Sequence, residues 1–183
     1  IPKWFFVSLL LPEDKTDENL VREIFSDINQ AADELGITLC GGHTEITHGL
    51  SRPIVSGHML GEVEKDKLVM NTRAKAGDEI LLTKSIALEG MAILAREREA
   101  ELLKKYDKSF VEKVQHFLFE PGISVVKDAL IANQTATVHA MHDPTEGGLS
   151  TGLRELAKVA NTGVTVYAEK IRCLNEVRTL CAE

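Results

Sequence analysis

Cysteine is scarce in this chain: Cys40, Cys173 and Cys181 are odd in number and far apart. They give neither a disulfide framework nor zinc-ligand spacing, which fits a reducing, cytoplasmic setting. Positive charge is also short, with 21 Lys and Arg against 28 Asp and Glu, a formal net charge of −7. Broad nucleic-acid binding needs an excess of phosphate-neutralising cations, so that function class is excluded. A small nucleotide is not, because backbone N–H groups and a metal ion can hold its phosphates. Long apolar runs are missing too, so no membrane-spanning segment is expected. Residues 1–11 lack the basic flank and small-residue cleavage site of a signal peptide.

What is present is an ordinary globular composition, 44% hydrophobic and 27% charged over 183 residues, enough for one substantial domain or two small ones. Residues 4–11 are aromatic, β-branched and aliphatic, as a buried strand is. Thr16 or Asp17 can cap a helix to about Leu35, with an apolar stripe at Leu20, Ile24, Ile28, Ala31, Ala32 and Leu35 and Gly36 as its stop. Residues 37–40 read as a short strand entering a Gly41-Gly42 loop, and 52–63 as another strand in which Gly57 marks a bulge. The charged and polar stretch between Glu64 and Asp78 divides the chain into domains 1–69 and 70–183. Beyond it, strands are expected at 79–83, 136–141 and 164–168. Helices are expected from about Ala87 through Lys105, and at 109–117, 123–132, 148–159 and from Asn175 onward. The pattern is α+β, mixed α/β, in two parts. Both ends read as cut: the chain opens directly into a strand, and its last helix has no cap.

Two segments can carry chemistry. In Met141-His142-Asp143-Pro144-Thr145-Glu146-Gly147-Gly148-Leu149, an expected strand gives way to a helix. Free amides at a helix start attract phosphate, and Gly147 and Gly148 permit close backbone approach. Asp143 and Glu146 are hard oxygen ligands suited to Mg²⁺, and Thr145 can offer its hydroxyl. The same residues also suit a plain helix start with Asp143 or Thr145 as cap and Pro144 in the first turn. The residues alone leave both readings open. The second segment, Cys40-Gly41-Gly42-His43-Thr44-Glu45-Ile46-Thr47, also follows a strand. There the glycines could admit phosphate while Thr44 and Glu45 contact nucleotide, metal or substrate; the alternative is a tight connection with Glu45 solvated. His48 and His58 could sit near this segment; His116, His139 and the three cysteines read as structural, and the run 97–105 as a solvated helix face.

Together these two segments resemble the paired signatures of the aminoimidazole ribonucleotide synthase superfamily, which includes thiamine-monophosphate kinase, selenophosphate synthetase and the hydrogenase maturation protein HypE. The stretch Ala74-Lys75-Ala76-Gly77-Asp78-Glu79-Ile80-Leu81-Leu82-Thr83-Lys84 and the helix start Leu88-Glu89-Gly90-Met91 resemble the opening of that superfamily's second domain. The Asp-Pro-Thr-x-Gly-Gly form of the second loop is most similar to the HypE branch; purine-pathway enzymes more often have Val in place of Pro144.

The resemblance implies an N-terminal ATP-binding, dimer-forming domain (1–69) and a C-terminal AIR-synthase-like domain (70–183), each partial. It implies ATP and Mg²⁺ as cofactors, with Asp143 and Glu146 as catalytic and metal-handling residues. Gly41, Gly42, Thr44, Glu45, Thr145, Gly147 and Gly148 would be the cofactor-binding residues. It implies activation of an amide or carbonyl oxygen in hydrogenase maturation, a carbamoyl dehydration, with a homodimer and hydrogenase-maturation proteins as partners. Other superfamily chemistries, or a non-catalytic homologue acting through protein partners, are the alternatives. Where several relatives carry an acidic residue after the first glycines this chain has His43, a poor partner for a hard cation. The glycine-rich and acidic segments that open family members do not precede Ile1. Nor do Cys181-Ala182-Glu183 form the family's carbamoyl-accepting tail, so a weakened or altered dimer and an inactive fragment are expected.

Overall fold

The computed structural model describes residues 1–182. Two compact units divide the chain, Ile1–Leu68 and Val69–Glu183.

The first unit is a three-stranded sheet and one helix. Strand β1 (Pro2–Pro12) lies between β2 (Thr38–Thr47), to which it runs parallel, and β3 (Ile54–Gly61), to which it runs antiparallel. The parallel β1–β2 pair needs a crossover, and helix α1 (Glu18–Leu35) supplies it. Asp17 caps α1 by accepting from the Leu20 amide at 2.8 Å, and left-handed Gly36 closes it with its N–H on Ala32 and Asp33 carbonyls. Helix α1 packs against β2. Alternate residues Val7, Leu9 and Leu11 of the central strand are buried, as the period of two requires when one face is covered.

Two expectations change here. Strand β2 does not end at Cys40 but runs on to Thr47, so Gly41 and Gly42 lie within a strand rather than in a loop. The register slips between Phe5 and Phe6, which pair with Leu39 and Gly41, leaving Cys40 as the extra residue of a bulge. Gly57 marks no bulge: Phe6, Val7 and Ser8 pair in unbroken register with His58, Gly57 and Ser56. A Cβ there would fall 2.6 Å from the Phe5 ring, so the glycine makes room for an aromatic side chain.

The second unit is helical among its described residues. Its helices are α2 (Leu88–Glu97), α3 (Glu99–Leu102), α4 (Lys108–Gln115), α5 (Val126–Thr135), α6 (Gly148–Ala160) and α7 (Asn175–Cys181). Leu88, Ala92, Ala95, Val114, Phe117, Val177 and Leu180 form its core, drawn from α2, α4, the turn after α4, and α7. The helix expected to run unbroken to Lys105 stops at Glu97. After Ala95 the stripe meets Arg98 and Glu99, and a break at Arg98 lets the chain bring Leu102 and Tyr106 back onto the core.

The three strands expected in this unit do not form: 79–83, 136–141 and 164–168 carry no strand ladder. Their β-branched and aliphatic residues are suited to a sheet, but a ladder needs a neighbour in register. Ile80, Leu81, Val166 and Tyr167 remain exposed.

Candidate functional site

Helix α6 starts differently from α1 and α4, both of which begin with an aspartate accepting a backbone N–H. Its N-cap is Gly147, left-handed at φ 74°, followed by Gly148 at φ 61°, and no side chain caps it. The plain-cap reading therefore fails for Asp143 and Thr145. The Thr145 hydroxyl donates instead to the Asp143 carbonyl at 3.0 Å, and the Gly148 N–H donates to the Thr145 carbonyl at 3.1 Å. With Gly148 engaged in the turn, the next amides of the first helical turn, on Leu149 and Ser150, are the ones without an intrahelical acceptor. Glycine is required at 147 for a second reason: a Cβ there would fall 2.1 Å from Thr151 Oγ1.

Asp143 and Glu146 are exposed and make no ion pair with the described residues. No cluster of three or more His, Cys, Asp or Glu able to hold a metal by itself occurs among the described residues. The exposed carboxylates of Asp143 and Glu146 are hard oxygen donors, and Mg²⁺ keeps water ligands and binds through one or two carboxylates plus phosphate oxygens. The donor set and the uncapped helix start thus fit a magnesium–polyphosphate group.

The loop is held from two sides. On one, Asn71 Oδ1 accepts the Met141 N–H at 3.2 Å, and His139 Nδ1 lies 2.9 Å from both Asp78 carboxylate oxygens. Asp78 also accepts the Lys75 N–H at 2.9 Å. That backbone hydrogen bond first, and the hydrogen bond to His139 second, hold the Asp78 carboxyl below the usual carboxylate range. On the other side, His142 Nε2 lies 2.7 Å from Glu155 Oε2 on α6. Pro144 lies over Gly152, where an added Cβ would come 3.0 Å from its Cγ. Asn71, Asp78, Thr151, Gly152 and Glu155 were not expected from sequence. A lone glycine inside a helix, costing about 1 kcal/mol against alanine, was the one available sign of Gly152. The pairing of His142 with Glu155 has no comparable signal.

The first segment is built otherwise. At Gly42 (φ 152°) a Cβ would fall 1.7 Å from the Val7 carbonyl oxygen, so close strand approach by itself demands glycine there. At Gly41 (φ 150°) the corresponding space is open. Cross-strand register puts His43 and Glu45 on one face with Ser8 and Leu10, and Thr44 on the other with Leu9. His43 Nε2 is 3.6 Å from Glu45 Oε2, both side chains largely solvated. Thr44 and Glu45, adjacent in sequence, therefore project to opposite sides of the sheet. Two open surface depressions, one lined by Arg96, Glu99, Glu112, Gln115 and His116 and the other by residues near the start of α1, include none of the candidate residues. Phosphate sites made of backbone amides are shallow, so geometry and chemistry weigh more here than concavity.

The fold is that of AIR-synthase-like proteins. The structure of the hydrogenase maturation protein HypE in complex with ATP matches 99% of the chain and 51% of its own, with a TM-score of 0.74 and 22% identity. The AIR synthase related protein family matches through its N-terminal domain over residues 1–63 and its C-terminal domain over residues 75–183, and the chain belongs to that family. A Methanocaldococcus jannaschii protein assigned to hydrogenase expression and formation is 30% identical over 96% of the chain and 49% of its own length. The thiamine-monophosphate kinase of Pyrococcus horikoshii is 27% identical over 98% of the chain and 52% of its own length. The chain thus spans about half the length of these relatives. No helix among the described residues is long and apolar enough to cross a membrane.

Proposed function

We propose that the chain is the ATP- and Mg²⁺-handling part of an enzyme that activates an amide or carbonyl oxygen in hydrogenase maturation. The observation that carries this is the start of α6: two left-handed glycines, no side-chain cap, and the exposed carboxylates of Asp143 and Glu146 beside it. The relative assigned to hydrogenase expression and formation and the ATP complex of HypE support the choice of chemistry.

In this reading the Leu149 and Ser150 amides, at the positive end of the α6 dipole, face phosphate oxygens. Asp143 and Glu146 would hold magnesium, and the hydrogen bond from Thr145 to the Asp143 carbonyl keeps the turn in shape. Bound magnesium neutralises charge on the phosphates; most of the remaining catalysis is positioning. Attack of a carbamoyl oxygen on the terminal phosphorus of ATP would break its bond to ADP, release ADP and make that oxygen a leaving group. The C–O bond would then break with phosphate departing, while the nitrogen gave up two protons to water to form the C≡N bond. In the first unit, Gly41, Thr44 and Glu45 are exposed positions that a ligand could meet, while at Gly42 the Val7 carbonyl fills the space a side chain would take. Hydrogenase-maturation proteins are the proposed partners.

Self-association through the sheet is part of the proposal. Trp4, Phe6, Ile54 and Leu60 lie on one face by register and are exposed, and an apolar face of this kind marks a protein contact. Calorimetric titration with Mg·ATP tests the nucleotide reading. Saturable binding that chelation of magnesium abolishes supports it, and an absence of binding heat contradicts it.

A further inference from the structure

Helix α6 contacts its own preceding loop at three points that together span about one turn. Thr151 Oγ1 closes against Gly147, Gly152 seats Pro144, and Glu155 holds His142. The seat is tight: at Gly152 an added Cβ would lie 3.0 and 3.1 Å from Pro144 Cγ and Cβ, and 3.6 Å from His142 Nδ1. His142 Nδ1 is itself buried without a hydrogen-bond partner. The imidazole is thus fixed from two directions, by the Glu155 carboxylate at Nε2 and by the α6 backbone beside Nδ1. Residues 142 and 144, the two so fixed, flank Asp143.

We infer that Glu155 and Gly152 are positioning residues. Through His142 and Pro144 they set the direction of Asp143 before any ligand arrives, so that its carboxylate meets the metal–phosphate group without first having to be ordered. The inference rests on the nucleotide reading above and adds residues that touch no ligand. The physical basis is pre-organisation: a carboxylate on an unpinned loop loses its freedom at the moment of binding, and the affinity falls accordingly. Partners that orient metal-handling groups typically change metal affinity about 10–100-fold when removed.

Glu155→Ala is the informative variant. Alanine is the better helix former, and the Glu155 side chain is 55% exposed, so α6 itself should be unharmed. In the ligand-free chain, the Gly148 amide should exchange its hydrogen faster in Glu155→Ala than in the unaltered chain, while amides of α2 and α4 keep their protection. Affinity for Mg·ATP should fall about tenfold or more. Glu155→Gln, which keeps an acceptor for His142, should restore most of both. In the double variant His142→Ala/Glu155→Ala, affinity should be no lower than in Glu155→Ala alone, because the two act through one contact. Binding of Mg·ATP by the unaltered chain together with unchanged affinity in Glu155→Ala overturns this inference and leaves the nucleotide reading standing. No binding by the unaltered chain overturns both.

Discussion

His139 Nδ1 lies 2.9 Å from both carboxylate oxygens of Asp78, residues 61 apart in sequence, and this pair ties the turn after the domain boundary to the segment that enters the α6 loop. The Lys75 N–H joins it on Asp78, and together they lower the carboxyl's pKa from its ordinary value of 3.8. A carboxyl depressed in the folded state stabilises the fold above its unfolded pKa and loses that contribution as pH falls through the folded value. Asp78→Asn should therefore lower stability at neutral pH, and its deficit against the unaltered chain should close as pH falls below the ordinary carboxylate range. Urea unfolding across that range checks it; a deficit independent of pH would show that the charge is not the cause.

Gly42 and Gly36 make a matched pair of tests. Gly42→Ala drives a Cβ to 1.7 Å from the Val7 carbonyl oxygen, whereas Gly36→Ala meets nothing within 4 Å and pays only for its left-handed backbone. The second should cost about 1–2 kcal/mol, and the first about 3 kcal/mol or more with loss of the β1–β2 pairing. Equal costs, read by chemical unfolding, would contradict the close approach of the two strands.

Phe117 is 1% exposed at the centre of the helical unit's core. Phe117→Ala should destabilise by about 3–5 kcal/mol through lost burial and the cavity left behind. A small effect on thermal unfolding of the second unit would show that core to be loosely packed.

Phe6 and Leu60 share the open face of the sheet. If that face mediates self-association, Phe6→Ser/Leu60→Ser should shift the sedimentation coefficient toward the monomer and leave the fold intact, since both side chains are exposed. An unchanged coefficient would place any association elsewhere.

Legibility in sequence followed how local the cause was. Asp17 and Gly36, the two ends of α1, act within one helical turn and were readable, as was the apolar strand around Leu9. The break at Arg98 was harder, because it depends on where Leu102 and Tyr106 must return in space. The segments containing Leu81 and Val166 have strand composition, but pairing is a property of two segments and no single one records it. At the candidate site, Asp143, Glu146, Gly147 and Gly148 stood out as a motif. The glycines of the first segment drew the same reading, yet Gly42 answers to the Val7 carbonyl on a neighbouring strand. Glu155 was silent for the same reason: its partner His142 is 13 residues away, at a spacing no motif encodes.

The start of α6, with Asp143, is proposed to handle magnesium-bound ATP. Calorimetric titration of Mg·ATP into the unaltered chain and into Asp143→Ala tests it most directly. Asp143 is exposed and makes no ion pair with the described residues, so the substitution should leave the unfolding midpoint nearly unchanged. Saturable, magnesium-dependent binding by the unaltered chain is expected, with a loss of about tenfold or more in the variant. Equal affinity in the two, or no binding in either, would contradict it.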